Sequence, residues 1–310
     1  MDKRELVIIG AGPAGLAAGI YAARADVNTV ILERGVPGGL VISTHLIENY
    51  PGFSNGISGP ELMVQMEKQA RSFGVDILSA NVEKIIMKEK EFTLITDHGE
   101  IVTSAIILAT GVIPQLLGVK GEKELTGRGV SYCATCDGAF FRNKIVAVVG
   151  GGNAAVEEAI FLTRFVEKVY VIHRRGELRA AKIAQHRAFA NPKINFIWHS
   201  VVDEIIGKKF VEGVKVRDVR DNRTSILDVS GVFIYVGNTP SSSLLKDVVK
   251  ADEKGFVITD ENMLTSQQGI FAAGDVRQKL LRQVVTAVAD GAIAAFAADK
   301  YLSEQKSLIV

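Results

Sequence analysis

The sequence predicts an α/β fold of two similar three-layer units, the second inserted in the first. Three observations predict it. A glycine turn, Gly10-Ala11-Gly12-Pro13-Ala14-Gly15, follows an apolar run at residues 6–9 and opens a small-residue stretch of helical character. A second turn, Gly150-Gly151-Gly152-Asn153-Ala154-Ala155, repeats the pattern after an apolar run at 145–149. Both repeats also close alike. Ile106-Ile107-Leu108-Ala109-Thr110-Gly111 runs to Pro114, and Val232-Phe233-Ile234-Tyr235-Val236-Gly237 runs to Pro240.

In the first repeat the strand at 6–9 passes through the glycines into a helix over 13–25. A strand at 29–32 follows and ends at Glu33. In the second, the strand at 145–149 leads to a helix reaching residue 165 and a strand at 168–172. This strand–turn–helix–strand order places backbone N–H groups and a helix N-terminus where they can hold a pyrophosphate. Both units are therefore read as Rossmann-like dinucleotide-binding domains. Beyond Pro240, Gly269-Ile270-Phe271-Ala272-Ala273-Gly274-Asp275 precedes an Ala/Val-rich helix over 282–301. That last piece is too short to stand comfortably alone, so it is assigned back to the first domain. The crossings near Pro114 and Pro240 are then the expected hinge.

Nucleotide choice is read at the end of the second strand, about 20 residues past the glycines. In the first unit that residue is Glu33, an acid suited to an unphosphorylated adenosine ribose, as in FAD or NAD. In the second it is His173, followed by Arg174 and Arg175, with Arg179 close behind. An acid would repel a 2′-phosphate, whereas guanidinium groups hold it with charge-assisted bonds, so the second nucleotide is read as NADPH. Gly274-Asp275 points the first site to FAD, because a carboxylate past a buried strand can accept hydrogen bonds from ribitol hydroxyls. The helix that follows, from Arg282-Gln283-Val284, directs its positive end toward the reduced ring. The expected organisation is thus an FAD-binding domain at 1–114 and 241–310, with an NADPH-binding domain at 115–240. Expected flavin contacts are Gly10, Gly12, Ala14, Gly15, Glu33, Asn49, Gly111, Gly274, Asp275, Arg282, Gln283 and Val284. Those for NADPH are Gly150, Gly152, Asn153, Ala154, Ala155, His173, Arg174, Arg175 and Arg179.

Both cysteines of the chain lie in one tetrapeptide, Cys133-Ala134-Thr135-Cys136, just ahead of the second glycine turn. Zinc would need two further ligands, and the five histidines form no closely spaced pair. Two nucleotide sites flanking a dithiol instead suggest an electron path from nicotinamide to flavin to disulfide. Asp137, next to the second cysteine, can exchange the proton that thiol–thiolate interconversion requires. Composition excludes other classes. A net charge of +1 over 310 residues gives no field for nucleic acid or a membrane surface. No apolar run approaches the ~18 residues of a membrane span, and the start Met1-Asp2-Lys3-Arg4-Glu5 leaves no room for a signal-peptide core. A cytoplasmic protein is expected.

Taken in order, the two glycine turns, Cys133-Ala134-Thr135-Cys136-Asp137-Gly138, His173-Arg174-Arg175 with Arg179, and Gly274-Asp275 with Arg282-Gln283 resemble the low-molecular-weight thioredoxin reductases over essentially the whole chain. The resemblance implies a homodimer with tightly bound FAD, NADPH as donor and thioredoxin as acceptor. It also implies that Cys136 faces the flavin, Cys133 attacks the partner's disulfide and Asp137 handles protons. Asn49, within Glu48-Asn49-Tyr50-Pro51-Gly52, is implied to lie by the flavin. One position departs from the family: Leu40 follows Gly38-Gly39, where glutamine is usual. A related reductase of a glutaredoxin-like or other disulfide partner, or a dithiol oxidase, shares all these features and is the alternative.

Overall fold

In a computed structural model, residues 2–88 and 91–307 are described, and they divide into two compact units. One comprises Met1–Ile113 and Thr239–Val310, the other Pro114–Asn238. The first begins β1 (Asp2–Ile9), α1 (Pro13–Arg24), β2 (Thr29–Glu33), α2 (Gly59–Ser72) and β3 (Asp76–Ser79). It continues through β4 (Val82–Met87), β5 (Phe92–Thr96), β6 (Gly99–Leu108) and β7 (Val112–Pro114). The second unit holds β8 (Val130–Ser131), α3 (Ala134–Asp137), β9 (Ile145–Gly150), α4 (Asn153–Leu162), β10 (Lys168–Ile172), α5 (Lys182–Phe189) and β11 (Ile194–Ile197). It closes with β12 (Ser200–Ile206), β13 (Gly213–Asp218), β14 (Thr224–Asp228) and β15 (Gly231–Tyr235), and β16 (Asn238–Pro240) starts at its last residue. The chain returns to the first unit with β17 (Ile270–Ala272) and α6 (Val284–Ser307).

The first sheet runs β3-β2-β1-β6-β5-β4, with β17 beside β6. Strands β1, β2, β3, β6 and β17 are parallel, and β4–β5–β6 form an antiparallel meander at one side. Strand β1 is apolar on both faces because both are covered, as a parallel strand requires. Leu6 and Ile8 pack in the cluster that includes Ala14, Ala18, Ala294 and Ala298 of helices α1 and α6. Val7 and Ile9 pack on the opposite side with Leu245, Val257 and Val276.

The second unit repeats this design on a parallel sheet, β11-β10-β9-β15-β8. Val146 and Val148 pack with Ala155 and Ala159 of α4. Ala147 and Val149 pack on Val202, Val214 and Val216 of the antiparallel sheet β12-β13-β14. One outer layer of this unit is thus a sheet rather than a helix. Strands β12 and β13 supply it by alternating apolar and polar residues, the pattern of a sheet with one covered face.

The glycine turn after β1 shows why the residue types are strict. Gly10 adopts φ +104°, a region L side chains rarely enter. A Cβ on Gly15 would collide with the Gly10 carbonyl, so the first turn of α1 presses directly on the loop. Gly15→Ala should therefore cost about 1–3 kcal/mol as an overpacked backbone contact. Calorimetry of this variant should show melting lowered by roughly 2–4 °C per kcal/mol. A melting temperature equal to that of the parent would refute the close approach.

Candidate active site

In the first unit Glu33 closes the glycine loop. Its Oε2 accepts the Ala11 N–H at 2.8 Å, and its Oε1 accepts the Gly35 N–H at 2.9 Å. The turn after β17 lies over the same helix: Gly274 has φ +79°, and a Cβ there would meet the Ala14 methyl at 2.9 Å. Asp275 sits in that turn with Oδ1 buried and without a hydrogen-bond partner. Burial pushes its carboxyl upward, Lys279 and Arg282 pull it back, and Asp290 adds to the rise.

Asp290 itself is a buried anchor from α6. It accepts the Gly274 N–H at 3.1 Å, the Arg277 guanidinium at 3.0 Å and the Lys279 ammonium at 2.7 Å. Arg282 donates to the Asp275 and Arg277 carbonyls at 3.3 and 3.1 Å, and its guanidinium lies 3.9 Å over the Phe256 ring. Asn49 and Gln283, 234 positions apart, meet through a 2.9 Å bond from Asn49 Nδ2 to Gln283 Oε1. Gln283 precedes α6 while Val284 begins it, and Gly111 takes φ +63° just past β6. Leu40 is 43% exposed, on a short 3-10 turn over Gly39–Ser43.

In the second unit Gly150 has φ +149°, and Gly152, Asn153, Ala154 and Ala155 open α4. The His173 ring lies so close over Gly151 that a Cβ there would collide with it. His173 is 4% exposed and its Nε2 has no partner. Burial lowers its pKa, and Arg179, Arg175 and Arg174 lower it further against a backbone bond near Glu177. The ring is held neutral while the three arginines stand exposed around it. Arg179 is tied to the turn by its N–H, which donates to the Gly151 carbonyl at 2.7 Å. Asn153 Oδ1 accepts the Ala181 N–H at 2.6 Å, so the segment after the arginines is pinned to the start of α4.

Cys133 and Cys136 are joined in a disulfide, with Cα atoms 5.4 Å apart, at the start of α3. Cys136 is exposed and Cys133 half-buried. The Cys136 N–H donates to Cys133 Sγ at 3.1 Å. Asp137 is held by Ser131, whose hydroxyl donates to Oδ2 at 2.6 Å. The Ala134 N–H donates to the Tyr235 hydroxyl oxygen at 2.9 Å. Burial pushes the Tyr235 phenol upward, and Glu158 and Asp137 add to it, so the tyrosine stays a neutral O–H between two carboxyls. On the outer side, Tyr132 O–H donates to Glu122 Oε1 at 2.7 Å. The 1% exposed Glu122 also accepts the Leu117 and Gly118 N–H groups at 2.9 and 2.6 Å. One carboxylate thus fastens the segment leaving Pro114 to the residue before Cys133.

A model of the pyridine nucleotide-disulphide oxidoreductase family matches residues 4–291. The chain belongs to that family. Several of its relatives there are thioredoxin reductases. The thioredoxin reductase of Listeria innocua is 49% identical over 307 residues, covering 98% of this chain and 96% of that protein. That of Peptoclostridium litorale is 47% identical over 306 residues, 97% of each. The crystal structure of Lactococcus lactis thioredoxin reductase superimposes with a TM-score of 0.95 at 48% identity, covering 97% of this chain and 99% of that one. The chain is an α/β disulfide oxidoreductase with a redox-active cysteine pair at Cys133 and Cys136.

Several residues lie outside the sequence motifs: Asp290 in the first unit, and Ser131, Glu122 and Glu158 in the second. Glu158, on α4, is pushed up to about 8 by burial and by Glu157, and its Oε2 has no partner. Raised from 4.5, the folded group binds its proton more tightly than the unfolded chain does. Stability contributed by the neutral form is therefore lost as pH rises from about 4.5 toward 8. Glu158→Gln removes that loss. Its melting temperature should exceed the parent's at pH 9 and match it at pH 5; equal pH slopes for the two proteins would contradict the buried neutral carboxyl.

Proposed function

We infer that the chain carries electrons from NADPH through FAD to the Cys133–Cys136 disulfide, and from the dithiol to oxidised thioredoxin. The observation that carries this reading is the disulfide itself, set beside a hydrogen-bonded carboxylate in a unit built around the second glycine turn. The net reaction consumes NADPH, a proton and the partner's disulfide, and yields NADP⁺ and the partner's dithiol.

Both cofactors fit the residues. The unpartnered Asp275 Oδ1 supports a polyol at the first turn, and Glu33 has lone pairs to spare for a ribose. The neutral His173 with its free Nε2 and the exposed Arg174, Arg175 and Arg179 support a 2′-phosphate at the second. A flavin bound at the first site would supply two-electron transfer between a nicotinamide and a disulfide.

The protein's own residues do the rest. The Cys136 N–H aimed at Cys133 Sγ favours a thiolate there once the disulfide opens, which fits Cys133 as nucleophile. Its attack forms a mixed disulfide with the partner and expels one partner thiolate. Cys136 then closes on Cys133 and releases the second partner thiolate, while Asp137 carries the proton between Cys136 and the leaving sulfur. Such a cycle belongs in the cytoplasm, where thiols are kept reduced. A homodimer is part of the same reading.

The test is NADPH oxidation coupled to thioredoxin, repeated with NADH, a glutaredoxin-like protein, a small disulfide and oxygen. Turnover with oxygen or another partner that exceeds turnover with thioredoxin would overturn the partner assignment.

A further inference from the structure

Ser131 ends β8 two residues before the first cysteine and is 5% exposed. Its hydroxyl sits among three groups of the redox segment. It accepts the Cys133 N–H at 3.0 Å. It has two acceptors within reach for its one proton: Asp137 Oδ2 at 2.6 Å and the Cys133 carbonyl at 3.2 Å. A hydroxyl proton can serve one of them at a time. The shorter contact has the length of an O–H donated to a carboxylate.

We propose that Ser131 is a positioning residue whose hydroxyl turns between Asp137 and the Cys133 carbonyl as Asp137 gains and loses the dithiol proton. In the disulfide state the hydroxyl donates to Asp137 and aims the carboxylate. When Cys136 S–H gives its proton to Asp137, the carboxyl no longer needs that donor, and the hydroxyl turns to the Cys133 carbonyl. The Cys136 thiolate attacks Cys133 Sγ of the mixed disulfide, so the Cys133–Cys136 bond forms and the bond to the partner's sulfur breaks. The partner thiolate leaves with that electron pair and takes the proton from Asp137, and the Ser131 hydroxyl returns. Throughout, the Cys133 N–H keeps the oxygen in place, so only the hydrogen moves. Tyr235 is the other group facing Asp137, and Glu158 faces Tyr235 in turn. The Tyr235 oxygen accepts the Ala134 N–H, while the Ser131 hydroxyl donates to Asp137.

The inference rests on the proposed role of Asp137 as proton carrier, and its test separates the two. Ser131→Thr and Ser131→Val present nearly the same shape in a strand and differ by one hydroxyl. Each is reduced with dithiothreitol and mixed with oxidised thioredoxin, and separately with a small aromatic disulfide. Steady-state kcat and KM with NADPH as reductant, and the solvent deuterium isotope effect on kcat, are measured separately for each. The Thr variant is expected to stay within a few-fold of the parent. The Val variant should lose about tenfold to a hundredfold in kcat, the span of a hydrogen bond to a charged group. Its KM for thioredoxin should be unchanged and its isotope effect should rise. NADPH-driven reduction of a one-electron dye, which needs no dithiol, should be equal in all three proteins. If the Val variant fails to fold, the comparison passes to Ser131→Ala with the same expected losses. Equal kcat in the Thr and hydroxyl-free variants, or a loss shared by the dye reaction, would overturn the role of Ser131. A parent dithiol that exchanges with neither acceptor would instead overturn the function reading.

Discussion

Cys136→Ser protein should reduce a dye with NADPH at the parent rate yet fail to reduce thioredoxin. The disulfide carries electrons out of the protein, so its loss removes the exit and leaves the entrance intact. Cys133→Ser should behave alike in turnover, because the half-buried sulfur that receives the Cys136 N–H is the proposed nucleophile. Losses on the order of a thousandfold or more are expected, since members of one chemical unit fail together when either is removed. The two variants should differ in one respect. Only Cys136→Ser retains the nucleophile, so it should trap a mixed disulfide with thioredoxin, visible as a mass increase reversed by dithiothreitol. Thioredoxin reduction surviving in either variant would dispose of the dithiol route.

The second large effect concerns the donor. Arg174 and Arg175 are exposed at the end of β10, beside a histidine that their charge helps keep neutral. Replacing both by Ala removes charge-assisted bonds worth about 1.5–3 kcal/mol each, or roughly tenfold to a hundredfold in affinity apiece. The KM for NADPH should rise about a hundredfold or more while the KM for NADH barely moves. Parallel losses for both nucleotides would show that these arginines do not read a 2′-phosphate. Because the guanidinium groups are exposed, the variant should melt with the parent, which separates lost recognition from lost fold.

Much of this was legible in residue order. The glycine turns, the parallel strands beside them and the paired cysteines each follow from local rules, and strand β10 falls at Lys168–Ile172 as its apolar run predicts. Local rules also say why α1 must begin at Pro13: fixed φ at the first helical position and small residues at Ala14 and Gly15 suit close contact. What stayed hidden depends on partners far along the chain. The antiparallel layer β12–β14 is visible as alternation, but its place over Ala147 and Val149 is set by packing. Asp290 reads as an ordinary helical polar residue until Arg277, Lys279 and the Gly274 N–H converge on it. Ser131 carries no motif; its position two residues before Cys133 was the one available signal. Glu122 lies in a charged run, Lys120-Gly121-Glu122-Lys123-Glu124, and only its burial and three donors reveal the clamp on Tyr132.

The split of the first unit has a consequence for biosynthesis. Helix α1 leaves the ribosome long before α6, whose surface it packs on, is made. Gly291 of α6 lies so close to α1 that a Cβ would collide with the Ala14 carbonyl, so the two helices meet there almost backbone to backbone. At roughly 5–20 residues per second the intervening unit, unbroken in sequence, is complete several seconds before α6 emerges. A nascent chain stalled near residue 280, with the inserted unit clear of the exit tunnel, should therefore resist protease over 114–238 and be cut within its first 113 residues. The residues of α1 thus wait unpacked until the far end of their own unit is made.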